Sequence, residues 1–266
     1  MNLNIWKEKF IKKVGSNNIS VFIVTRKEKW EKIKDLLKPI PFPCLYLDPT
    51  KESTYPFIYK MVELNEKAYG KKMSAPIWTY SNFGTIGSGI TGGFIIDNKL
   101  ISKFNVVGDV VDSDTSHEWT LLTDPEYQGK SIGTATLALA MQVCGLKKYH
   151  TFISQTDNPS NIIYLKNCYP LKILSYGFIH TKPNSLFIKT KIPKNAFEVF
   201  IKNKNKKKYS VDFNNSKIPE KGIFSLKADR HDSFLKLNQK IQTGSKCYLL
   251  DWIKNGENYL VIKIKN

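Results

Sequence analysis

The stretch YQGKSIGT, residues 127–134, carries residue types that could hold an anion on backbone groups. Gln128, Gly129, Lys130, Ser131, Ile132, Gly133 and Thr134 supply consecutive N–H groups, two glycines, two hydroxyls and one lysine. A helix starting here leaves its first amides unpaired and concentrates partial positive charge at its start. Small residues let an anion approach the backbone, and a diphosphate fits such a nest. The same residues also read as an ordinary loop that uses glycine for turn geometry. The GxxxxGK[ST] phosphate loop is absent. Gly87, Gly89 and Gly92 spell GxGxxG, but a β-hairpin follows where that motif needs a helix. Those glycines are assigned to bulges or close backbone approach.

The positioning elements can be read from periodicity. SHEWTLLT (116–123) is a strand, and the apolar run after Ser131 is a helix. Upstream, residues 19–25 and 44–48 read as strands around a helix over 27–38, so residues 1–52 form a small β–α–β unit. A helix spans 56–72. The stretch GFIIDNKLISKFNV is a hairpin turning near Asp97–Asn98. Residues 150–156 form a strand. A short helix over 158–167 has Asn158 as its cap and Pro159 in its first turn. Two strands then follow. The tail holds a strand over 197–202, a helix near 231–241 and a hairpin turning at Asn255–Gly256.

Strand, motif loop and helix in this order resemble the acetyl-CoA segment of the GNAT (Gcn5-related) N-acetyltransferase superfamily. That family's [Q/R]xxGx[G/A] signature reads here as Gln128, Ser131 and Gly133. YLKNCY (164–169) resembles its later YxKxGF segment, with Cys168–Tyr169 in place of Gly–Phe. The resemblance covers roughly residues 55–190. It implies an α/β (α+β) fold with a mixed, mostly antiparallel central sheet flanked by helices. Units 1–52 and 191–266 flank a core of 53–190. It also implies direct acyl transfer from acetyl-CoA or another acyl-CoA to an amine. The diphosphate would rest on amides of 128–134. Pantetheine would lie along Leu121, Leu122 and Thr123 like an added strand, and Asn158 would begin the next helix of the site. Tyr164 matches the family's general acid. The family's acidic base aligns with His117. Strand alternation puts His117, Trp119, Leu121 and Thr123 on one face and Glu118 on the other, unless a bulge intervenes. His117 or Glu118 could take the amine's proton, and Asp112 and Asp114 could attract a cationic amine. Cys168 at a helix end reads as a packing residue.

Composition bounds the rest. The 266 residues are 41% hydrophobic, enough for a packed core. Four scattered cysteines form no CxxC pair, which argues against a zinc site and suits a reducing cytoplasm. Neither a signal-like start nor an apolar span of membrane length is present, and no metal is implied. Net charge is +18, concentrated in the flanks and densest in KNKNKKKY (202–209). A solvated lysine surface explains this. Attraction to nucleic acid or a nucleic-acid-bound protein is the alternative. A third reading is a GNAT-like scaffold without catalysis. The amine acceptor and the oligomeric state leave no mark.

Overall fold

Alternating apolar residues and turn signals build the strands of this protein. The computed structural model describes residues 2–71, 89–108, 113–158, 170–179, 182–202, 208–213 and 217–265. They group into two compact units, 1–148 with 192–202, and 149–191 with 203–266.

The first unit contains β1 (Ile19–Val24), β2 (Cys44–Leu47), β3 (Ile90–Ile96), β4 (Lys99–Gly108) and β5 (Thr115–Thr123), in the order β2-β1-β3-β4-β5. β1 and β2 pair in parallel across α2 (Lys27–Ile33). The other pairs are antiparallel. β1 therefore joins the N-terminal β–α–β segment to the sheet of the β3–β4 hairpin. That hairpin turns at Asp97 and Asn98, whose φ values of 50° and 62° are the left-handed pair a tight two-residue turn requires. Gly92 and Gly93 lie inside β3. A Cβ on Gly92 would stand 2.7 Å from the Phe104 ring, and one on Gly93 would stand 1.9 Å from the Ser102 carbonyl oxygen. Close packing is the reason for the third glycine of the GxGxxG string. Gly87 lies outside the described residues.

Helices cover both faces of this sheet. α3 (Tyr55–Tyr69) buries Ile58, Met61 and Leu64 against Phe22, Val24, Leu100 and Leu122. α4 (Ile132–Val143) is buried along most of its length and packs on β3, β4 and β5, where its Thr136 hydroxyl lies 2.7 Å from that of Ser102. Two helices were not read from the sequence. α1 (Leu3–Val14) is capped by the Asn2 side chain and ends at left-handed Gly15. α5 (Ala196–Lys202) stands where a strand over 197–202 was expected. It packs against α4, and that tertiary contact overrides the β-leaning AFEVFIK sequence. Gln142 of α4 links three segments: its Nε2 donates to the Leu36 carbonyl at 2.6 Å, and its Oε1 accepts the Phe197 N–H at 2.9 Å.

The second unit contains β6 (Tyr149–Gln155), β7 (Leu171–Ile179), β8 (Lys182–Lys191), β9 (Gly222–Lys227), β10 (Lys246–Asn255) and β11 (Glu257–Lys265). Their order is β6-β8-β7-β10-β11-β9, and every pair is antiparallel. α6 (His231–Gln242) packs on β7, where Asn238 accepts the Tyr176 N–H at 2.8 Å. Both units are mixed α/β with mostly antiparallel strands flanked by helices, the fold class expected. Among the described residues no helix is long and apolar enough to cross a membrane.

Candidate functional site

The exit from β5 is fixed first. The Asp124 N–H bonds the Ile101 carbonyl at 2.7 Å, and its carboxylate accepts the Glu126 N–H at 3.0 Å. Lys67 of α3 bonds Asp124 at 2.9 Å and Glu126 at 2.8 Å. Those hydrogen bonds, Glu126's first, raise the pKa of the Lys67 ammonium. The chain then passes Gln128 in extended geometry. Gly129 has φ 78°, with nothing within 4 Å of where a Cβ would stand. Ser131 has φ 67°, a conformation that costs a side-chain-bearing residue ~1–2 kcal/mol. Such strain persists where the surroundings impose it.

Ser131 is the N-cap of α4, yet its side chain makes no capping hydrogen bond. Its hydroxyl instead accepts from Lys13 Nζ of α1 at 2.7 Å. The first amides of α4 therefore lack the side-chain acceptor that a serine at this position ordinarily gives them. Lys130 donates to the Val14 carbonyl at 3.3 Å and lies 4.7 Å over the Tyr127 ring. Ile132 is buried, while Gly133 and Thr134 are half-buried.

β5 corrects the expected alternation. Thr120 faces Asn105 and Glu118 faces Val106, so Trp119 is an extra residue. This bulge breaks the parity that would put His117 and Trp119 on one face with Leu121 and Thr123. Glu118 is buried, His117 is half-buried, and Trp119 is 52% exposed. Tyr69, the last residue of α3, donates its hydroxyl to the Leu121 carbonyl at 3.4 Å. Its phenol pKa is raised by desolvation and, second, by the Glu118 charge. A carboxylate, a phenol and a strand carbonyl thus gather beside the bulge. Leu122 belongs to the α3-facing core, so its side chain is structural. Opposite Leu122 on β4 stands Lys103, with no exposed surface. Burial pushes its ammonium pKa down to about 7.

Asn158 is exposed in the second unit, just beyond β6, with its N–H 3.4 Å from the Gln155 carbonyl. Asp114 forms an ion pair with Lys148 at 2.8 Å. Tyr164, Cys168, Asp112 and most of the Lys-rich stretch lie outside the described residues. Among the described residues no group of three or more His, Cys, Asp or Glu is placed to hold a metal. Lys13, Tyr69 and Lys103 were not anticipated. A lysine inside the apolar run LISKFNVV was a visible signal for Lys103 alone.

No family model and no curated protein matches the chain. Solved structures do align with it. The ribosomal-protein-S18-alanine N-acetyltransferase from Escherichia coli aligns at 12% identity over 54% of this chain and 91% of its own, with a TM-score of 0.40. The diaminobutyrate acetyltransferase EctA from Paenibacillus lautus, in complex with L-2,4-diaminobutyric acid and coenzyme A, aligns at 12% identity over 53% and 92%, with a TM-score of 0.42. An acetyltransferase of the GNAT family from Streptococcus pneumoniae aligns at 12% over 52% and 95%, with a TM-score of 0.42.

Proposed function

We propose that this chain is a GNAT-type, acyl-CoA-dependent N-acyltransferase, with acetyl-CoA as its acyl donor and a primary amine as acceptor. The observation that carries the reading is the start of α4. Strained Ser131 and left-handed Gly129 shape the loop, and the serine hydroxyl is turned away from its own helix amides. Open space beside Gly129 leaves the backbone approachable. The amides of 128–134 would hold the diphosphate, an anion suited to a helix start. When bound, the coenzyme supplies an acyl thioester. The Glu118 carboxylate beside the bulge takes the ammonium proton of the acceptor. Tyr69 borders that carboxylate and orients the β5 backbone through Leu121. Tyr164 is assigned proton donation to the departing thiol from its sequence match.

Titration calorimetry with coenzyme A tests the anion site, and thiol release from acetyl-CoA across a panel of amines tests the reaction. Micromolar affinity that is abolished in Gly129→Val is the expected result. Absence of coenzyme A affinity in the wild-type chain, or full affinity in Gly129→Val, would overturn the reading.

A further inference from the structure

Lys13 lies outside the segment that resembles the acetyltransferases, yet its ammonium reaches the loop at Ser131. Lys130 is the second ammonium there. Among the described residues neither forms an ion pair with a carboxylate. The nearby acids in sequence, Asp124 and Glu126, are both engaged by Lys67. Lys130 is occupied by the Val14 carbonyl and the Tyr127 ring. Among the described residues Lys13 holds only a neutral hydroxyl, and an ammonium has three donors. The Lys13 ammonium therefore stands at the N-cap of a helix whose start already carries partial positive charge, an unfavourable pairing by itself, while the Lys130 ammonium is directed to the last carbonyl of α1. An anion at the loop turns both the Lys13 charge and the helix-start charge favourable.

We infer that Lys13, brought by α1, is a phosphate ligand of the coenzyme site, exchanging Ser131 Oγ for a phosphate oxygen when the coenzyme binds. This rests on the reading of residues 128–134 as that site. A lysine acts as a compact point charge toward phosphate. Its position at α1's C-terminal turn, just before left-handed Gly15, holds it at the loop. The phosphate is either the diphosphate or the 3′-phosphate of the adenosine.

Calorimetry on the full chain with coenzyme A and with dephospho-coenzyme A, which lacks the 3′-phosphate, tests the inference. Loss of one charge-assisted hydrogen bond predicts that Lys13→Gln binds coenzyme A about tenfold more weakly. Lys13→Arg should restore most of the affinity, and the urea midpoint of Lys13→Gln should stay at the wild-type value. Equal weakening toward both ligands assigns Lys13 to the diphosphate. Weakening toward coenzyme A alone assigns it to the 3′-phosphate. The inference is overturned if the wild type binds coenzyme A and Lys13→Gln binds both ligands equally well. It is also overturned if Lys13→Gln loses affinity together with stability and arginine does not rescue it. A wild-type chain that binds neither ligand refutes the loop reading itself, a separate outcome.

Discussion

Lys103 makes the stability of this protein depend on pH in a direction opposite to that of a surface lysine. Its ammonium is fully buried on β4 opposite Leu122, and its pKa is displaced from 10.5 to about 7 by desolvation. The unfolded chain keeps the ordinary value. Well below pH 7 both states are protonated, and the folded state bears a cost for the buried charge. Between pH 7 and 10.5 the unfolded chain binds the proton that the folded chain has released, so stability rises with pH. At ~1.4 kcal/mol per pH unit the full displacement corresponds to about 5 kcal/mol. About 3 kcal/mol of it is recovered between pH 7 and 9.5. Lys103→Met removes the titration and keeps most of the volume. Urea unfolding of both chains at pH 6.5, 7.5, 8.5 and 9.5 should show the variant more stable at the lowest pH, with an advantage that shrinks as pH rises. Comparable m-values would confirm that both chains unfold from equally compact states. A stability difference that stays constant across this range would refute the assignment of a displaced pKa to Lys103.

Three further perturbations follow from contacts already described. Gly93→Ala places a methyl against the Ser102 carbonyl with no side chain able to yield. Thermal melts should show a loss exceeding ~3 kcal/mol, or the chain should fail to fold. Gln142→Leu orphans the Leu36 carbonyl and the Phe197 N–H. Denaturation should register a loss of about 2–5 kcal/mol, and recovery of wild-type stability would show that water replaces the amide. For the proposed transfer, Glu118→Gln should lower kcat/KM by about 10²–10⁴, whereas His117→Gln stays within a few fold. The reverse ranking in a thiol-release assay would move the base to the histidine.

Elements with strong local signals were legible in the sequence. The Asp97–Asn98 turn stands where its residue types placed it, both φ values being left-handed, and the second hairpin turns at left-handed Gly256, with Asn255 still paired to Glu257. The polar-to-apolar switch at Ser131 located the start of α4 within one residue. Elements decided by tertiary contact were not legible. AFEVFIK is β-leaning in isolation but becomes α5 because Phe197 and Phe200 are buried and α4 supplies the surface. The bulge at Trp119 depends on how β4 and β5 match in length, which periodicity in one strand cannot report. Period-2 reasoning consequently grouped His117 with Leu121. The Lys13–Ser131 contact spans 118 residues and has no local signature.

The basic N-terminal flank is best understood through what it packs against. Trp6 stacks on Phe10 at 4.9 Å and meets Phe197 edge-on at 5.4 Å, while Phe10 lies 5.7 Å from Phe94 of β3. These rings seat α1 in the same core that carries the sheet. A loose basic tail attracts polyanions without choosing where they bind. A helix fixed by aromatic packing directs its last-turn cation to one place, and here that place is the loop before α4. Part of the chain's excess positive charge therefore has a defined address beside Ser131.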